Sequence, residues 1–396
     1  MSDTCIKIYK VFSLNLLFLL LTTKSWLQEF FTFNYFSAFL AMSLAFPLMI
    51  IAGLDYLKNF KKNNIAFFEV LFTSLILITI FMGGENRFDL LKFSIIFVIS
   101  ILLKEFSRKK NNDSIIALAI VFFGLLVSMS VFLGVIEAFF LSTDYFYEIN
   151  NPLNPNPAAQ LLGNYSGFFY SYNMTAYALI FCIGFVSFTE ISKKIKLYIY
   201  IAFFIALALT QSKIIYIYFL ALAFLCFFDK KPILLITLAL LSMFYLIFTH
   251  VIIEYGSDGN SLILNKYKTM KALSFLDFNL YLSLFTQLKV DAFRLINSNP
   301  YLSYPELING LNGSEPHSLP ISLIVLLGYP SIFLLIAILF KNSRIILQSR
   351  EDQSLLKALF FCFIVELVIW DAQDSIIFWL GILLPPIFLT RKHIYN

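Results

Sequence analysis

The chain has 396 residues, 60% of them hydrophobic and 13% charged, with a mean hydropathy of +0.82. Water-soluble domains carry roughly 25% charged residues, so this composition excludes an ordinary soluble enzyme, and the 47 Phe and 21 Tyr are costly in water but cheap to expose to lipid. The formal net charge of +5 says little about nucleic acid, and no nucleic-acid partner is expected.

A spanning helix takes roughly 17–25 mostly apolar residues. In chain order, runs of this kind fall near 8–23, 30–54, 65–82, 88–103, 114–141, 168–189, 197–212, 214–228, 232–253, 318–340, 354–370 and 375–390. The first follows Lys7 and Lys10 and could pass for a signal peptide. Lys24-Ser25-Trp26 comes next rather than a small-x-small cleavage pattern, so it reads as an uncleaved span. Basic residues then mark every second connection: Lys58/Lys61/Lys62, Lys104/Arg108/Lys109/Lys110, Lys193/Lys194/Lys196, Lys230/Lys231, Lys341/Arg344/Arg350/Lys357 and Arg391/Lys392. With Lys7 and Lys10 these make twenty of the 29 basic residues. The positive-inside rule turns that alternation into a topology with both ends inside.

The expected fold is therefore an all-α integral membrane protein of about 12 transmembrane helices, N-in and C-in, forming one polytopic unit over residues 1–396. Two outer loops stand out. Residues 142–167 contain the stretch Asn150-Asn151-Pro152-Leu153-Asn154-Pro155-Asn156-Pro157 and no Lys or Arg. Residues 254–317 precede the tenth span and hold Leu280, Leu284, Leu288, Phe293 and Ile296 at roughly helical spacing, the pattern of an amphipathic helix at the membrane surface. Cys5, Cys182, Cys226 and Cys362 lie outside these loops, so no disulfide framework or paired-cysteine metal site is expected.

Ionisable groups near membrane depth are expensive and mark sites or pathways. Lys213 sits in Leu209-Thr210-Gln211-Ser212-Lys213, a link too short to be a loop. It is either a turn lysine snorkelling to the interface or an ammonium placed where a lipid phosphate would lie. His317, in Glu315-Pro316-His317-Ser318, is either structural or a general base beside an acceptor hydroxyl. Lys289 and Arg294 flank Asp291; they make either a solvated, locally paired helix face or a phosphate grip. Arg87, after Gly83-Gly84-Glu85-Asn86, is a further outer basic residue with an acid close by. His250 and His393 read as bland, and Asp371 and Asp374 as helix-end caps. There is no HExxH, P-loop or dinucleotide fingerprint, so neither metal nor nucleotide cofactor is expected.

Three separated stretches resemble the bacterial O-antigen polymerase and O-antigen ligase superfamily, polytopic transferases of lipid-linked glycans. Gly167-Phe168-Phe169-Tyr170-Ser171-Tyr172-Asn173-Met174-Thr175-Ala176 is similar to the family's G-x-F-x-N-x-N-x-x-A, with Ser171 at the first Asn position. Leu209-Thr210-Gln211-Ser212-Lys213 is similar to its L-T-x-S-R, with Lys213 in place of Arg. Asp291 to Pro300, followed by His317-Ser318-Leu319 and Gly328-Tyr329-Pro330, resembles its loop helix, N-P turn, H-N-x-hydrophobic and G-x-x-G elements. Ser318 stands for Asn and Ser331 for the final Gly. If Ala292, Ile296 and Pro300 take the family's places, its loop Arg falls near Phe285, which leaves Lys289 or Arg294 to fill the role from a neighbouring turn. The likeness covers about the last 230 residues.

The resemblance implies a GT-C-like, metal-independent glycosyltransferase of the bacterial inner membrane with its active site facing the periplasm. Its donor would be a polyprenyl-diphosphate-linked oligosaccharide. It implies that His317 is catalytic, that Lys213 with Arg294 or Lys289 holds the diphosphate, and that Asn173, Glu315, Ser212 and Arg87 line or support the site. Within the superfamily the expectation is a polysaccharide polymerase, with a chain-length regulator protein as a further partner. The alternatives are an O-antigen ligase, a protein O-oligosaccharyltransferase and, outside enzymes, a lipid-linked-glycan flippase.

Overall fold

The computed structural model describes residues 3–22, 64–82, 87–109, 112–137, 147–148, 164–165, 172–210, 214–228, 278–299, 302–311, 318–349, 353–367 and 375–390, together with residues 47, 50, 51, 53, 54, 167, 169 and 212. Most of the predicted span at 30–54, all of that at 232–253, and His250, Asp371, Asp374 and His393 lie outside the described residues.

Apart from one two-residue ladder, the described segments with regular structure are helical. The first helices are α1 (Asp3–Thr22), α2 (Asn64–Met82), α3 (Arg87–Ser107) and α4 (Asn112–Ile136). The stretch expected to form an outer loop, 142–167, contains an antiparallel pairing of β1 (Tyr147–Glu148) with β2 (Asn164–Tyr165), in the register Tyr147 to Tyr165. Then come α5 (Tyr172–Phe185), continued by a 3₁₀ turn at Val186–Phe188, α6 (Lys193–Thr210) and α7 (Ile214–Phe228). After the large loop's α8 (Phe278–Ser298) and α9 (Tyr304–Gly310), the chain forms α10 (Leu319–Leu327), α11 (Pro330–Gln348), α12 (Ser354–Glu366), α13 (Ile376–Leu383) and α14 (Pro385–Thr390). Helices satisfy their backbone polar groups internally, which is what an apolar run such as α7, free of Gly and Pro, must do wherever water is absent.

Two runs that read as unbroken spans are interrupted. Between α10 and α11, Gly328 takes φ +79°, a left-handed conformation open to glycine. Its N–H closes α10 on Ile324 O at 2.8 Å. Pro330 lacks an N–H and begins α11, where that missing donor costs nothing. The predicted 318–340 span is therefore a nine-residue helix followed by a separate 19-residue one. Pro385 and Pro386 divide the last run in the same way, at Leu384.

The core is built around α5, buried from Thr175 to Phe185. It packs against α4, α6 and α12. Gly124 of α4 lets three helices meet: a Cβ at that position would lie 2.6 Å from both Cys182 of α5 and Phe203 of α6. A second cluster joins α2, α3 and α13 through Phe72, Phe93, Phe97 and Trp379, with the Phe97 and Trp379 ring centroids 4.8 Å apart. Among the described residues, α4 and α11 are long and apolar enough to cross a membrane, and Phe67–Met82, Tyr172–Phe188, Ile217–Cys226 and Ile376–Thr390 are shorter apolar helical stretches. On α11, Phe333 and Phe340 are 73% and 72% exposed.

Candidate functional site

The first two motif stretches meet at one end of the bundle. Helix α6 ends at Thr210, whose hydroxyl donates to Leu207 O at 2.7 Å and accepts the Ser212 N–H at 3.4 Å. This turn drops Ser212, 1% exposed, between α6 and α7. There its hydroxyl donates to Asn173 Oδ1 at 2.6 Å. Asn173 lies in the first turn of α5 and is exposed. Two residues 39 positions apart in sequence thus form one hydrogen-bonded corner. Ser212 and Asn173, expected as supporting residues, are brought together.

One helical turn further along the same face of α5, the Tyr177 hydroxyl donates to Glu366 Oε2 at the end of α12. Glu366 is 3% exposed and Tyr177 4%, and the Tyr177 ring also packs on Phe363, centroids 5.7 Å apart. The next residue, Leu367, accepts the Leu319 N–H at 3.0 Å through its carbonyl. Ser318, extended and buried, precedes α10 as its N-cap. A continuous chain of contacts therefore runs from Ser212 through Asn173, α5, Tyr177, Glu366 and Leu367 to the start of α10. Lys213, Glu315 and His317 lie outside the described residues; the direct neighbours of two of them, Ser212 and Ser318, stand at the two ends of this contact chain.

The predicted loop helix is α8. Its packed stripe is Ala292 and Ile296, both buried, with half-buried Leu288 and Leu295. Phe293, expected on that stripe from its spacing, is 42% exposed, because Ala292 takes the close contact instead. The helix packs on α9 and α10; a Cβ at Gly310 of α9 would come within 2.8 Å of Leu295. Lys289 is half-buried and lies three and seven residues before Ala292 and Ile296, on their face of the helix. Arg294 is 73% exposed, paired with Asp291 at 3.1 Å, and Gln287 donates to the same carboxylate at 3.0 Å. Of the two alternatives expected to join Lys213 at the diphosphate, then, Lys289 shares the packed face and Arg294 is turned away from it. Arg87 begins α3, and its side chain lies outside the described residues. In α9, Glu306 accepts the Ser303 N–H at 2.8 Å in a capping box, and these hydrogen bonds hold its carboxyl below the ordinary 4.5.

A separate ionic cluster sits at the opposite end of the bundle. Lys104 of α3 donates to Glu69 of α2, both carboxylate and ammonium being almost fully buried, and lies 4.0 Å from Glu105. Arg108 reaches Glu105 at 2.9 Å. Lys104 is one of the cations expected at the basic connections, whereas Glu69 and Glu366 are not among the residues expected at a site. The missed signal was cost: a carboxylate inside an apolar run demands a partner, although the sequence does not say which helix supplies it. No family model, no curated protein and no solved structure matches the chain.

Proposed function

We propose that the chain is a polysaccharide polymerase of O-antigen or capsule type. In this reading about twelve spans embed it in the bacterial inner membrane, and it joins polyprenyl-diphosphate-linked oligosaccharide repeat units at the periplasmic face. The observation that supports the reading best is the Ser212–Asn173 hydrogen bond. It unites two of the three motif stretches, while the backbone bond from Leu319 to Leu367 and the Tyr177–Glu366 contact tie the third to the same end of the bundle. Membrane embedding is supported by α4 and α11 and by large apolar side chains standing outward on α2, α7 and α11, such as Phe81, Leu220 and Phe333. Such a surface is stable in contact with acyl chains and not with water.

In this mechanism the donor diphosphate rests on the Lys213 ammonium and on Lys289 from α8. Lys289 is preferred to Arg294 because it lies on the face of α8 that packs toward α10, whereas Arg294 is engaged with Asp291. His317 accepts the proton of an acceptor sugar hydroxyl. The hydroxyl oxygen bonds to the anomeric carbon as the bond from that carbon to the diphosphate oxygen breaks, and the electron pair leaves with the polyprenyl diphosphate. Cations fixed where that charge develops lower the barrier most; holding donor and acceptor in register contributes next.

The test is a polymer ladder formed in cells, with His317→Ala and Lys213→Ala expected to abolish it. A ladder of full length in either variant removes the mechanism. Loss of the ladder with one repeat unit still attached identifies a polymerase, whereas loss of all attached glycan identifies a ligase. Polymer formation by purified protein from lipid-linked repeat units, without an energy source, excludes a flippase.

A further inference from the structure

We infer that Tyr177 and Glu366 are a positioning pair that sets the spacing between Ser212 and the start of α10 at Ser318 and Leu319; the inference rests on the transferase reading above. Helix α5 presents Asn173 and Tyr177 one turn apart on one face. Asn173 receives the Ser212 hydroxyl at 2.6 Å and so fixes where the α6–α7 corner stands relative to α5. Tyr177 donates to Glu366, and so fixes where the end of α12 stands relative to that same helix. Leu367, the next residue of α12, takes the Leu319 N–H at 3.0 Å, and so fixes where α10 begins. Each link is a directed hydrogen bond between buried or half-buried elements. The Tyr177–Glu366 link is the only one of the three formed between two long side chains, so it alone can be shortened, lengthened or removed by substitution without touching the motif residues.

The pair has no motif role, and its phenol and carboxylate are spent on one another, which suits them to holding distance rather than to chemistry on substrate. A buried acceptor-to-phenol bond does this well because breaking it strands both groups. Loss of the clamp lets α12, and with it the start of α10, settle differently against α5. Ser212 and Ser318, the chain neighbours of the proposed cation and general base, then lose their mutual register.

The experiment uses the full chain in nanodiscs and radiolabelled polyprenyl-diphosphate-linked repeat units extracted from cells lacking it, with kcat expressed per folded molecule. Tyr177→Phe and Glu366→Leu each lower kcat by about 10- to 100-fold, the scale set by displacing reacting groups by about 1 Å. The donor KM stays within about twofold, because the diphosphate grip is intact. The double variant Tyr177→Phe/Glu366→Leu is no slower than either single one, since one bond is lost in all three. Glu366→Gln, which keeps an acceptor for the phenol, stays within about threefold of the unsubstituted chain, the scale of one hydrogen bond weakened rather than lost. A purely structural role would lower the folded fraction and leave kcat per folded molecule alone. Undiminished kcat in Tyr177→Phe, beside an inactive His317→Ala, overturns the pairing role and leaves the transferase reading standing. Multiplying losses in the double variant, or a Glu366→Gln variant as slow as Glu366→Leu, also overturns it. Absence of transfer by the unsubstituted chain overturns the transferase reading, and this role with it.

Discussion

Replacing Lys104 by methionine isolates the energetics of the ionic cluster between α2 and α3. The ammonium is 2% exposed and serves Glu69, also 2% exposed, with Glu105 at 4.0 Å. Removing it leaves Glu105 its Arg108 partner at 2.9 Å but takes away the cation that Glu69 is paired with, and one Glu69 oxygen has no hydrogen-bond partner even in the intact cluster. Breaking a buried pair from one side costs about 3–5 kcal/mol. Because Glu105 keeps Arg108 and only the Glu69 side of the cluster is broken, the expected loss lies at about 3 kcal/mol, the lower end of that range. Replacing both partners, Glu69→Leu with Lys104→Met, removes the stranded charge and fills the space with apolar atoms, so the double variant returns to within about 1 kcal/mol of the unsubstituted chain. Equilibrium unfolding in mixed micelles, run as a four-member cycle, measures the coupling directly. A coupling energy below about 0.5 kcal/mol, the level at which independent sites add, would refute the claim that burial makes this pair interdependent.

Other outcomes follow from single features. Lys289→Ala raises the donor KM more than Arg294→Ala, which removes only a side chain already exposed and paired with Asp291; steady-state kinetics with lipid-linked donor distinguishes them. Gly124→Val destabilises the chain by about 1–3 kcal/mol through overpacking against Cys182 and Phe203, each 2.6 Å from the added Cβ; micellar unfolding reads the loss. At Glu306 the folded-state pKa is depressed chiefly by the hydrogen bond from the Ser303 backbone N–H. Its contribution to α9 is therefore complete above the ordinary value of 4.5 and is lost as pH falls through the lower folded value. Amide exchange at Ser303 measures this: protection holds at neutral pH and drops in acid, and Glu306→Gln removes most of that pH dependence.

Much of the helical framework was legible because apolar run length and basic connections are one-dimensional signals. α1 to α7 fall within a few residues of the runs that the composition marks, and α8 lies where the loop's apolar spacing puts a helix. The breaks at Gly328 and Pro385 were harder to see. Hydropathy is blind to a backbone that turns inside an apolar stretch, even though Pro330 and the Pro385-Pro386 pair stood in plain view. At the site, motif order pointed to Asn173 and Ser212, and they touch. Tyr177 and Glu366 were not legible, because their partnership crosses 189 positions and depends on which faces of α5 and α12 the packing turns toward each other. For Lys289 and Arg294, charge alone could not rank two cations on one helix; their rotation about its axis does.

A main-chain hydrogen bond joins α10 to the end of α12, from the Leu319 amide to the Leu367 carbonyl. Neither side chain makes the bond, and proline at 319 would remove its donor, but Leu319 and Leu367 are 0% and 3% exposed, so both positions must stay apolar. Over evolutionary time these two positions can drift among apolar residues of similar volume while the geometry they enforce is inherited.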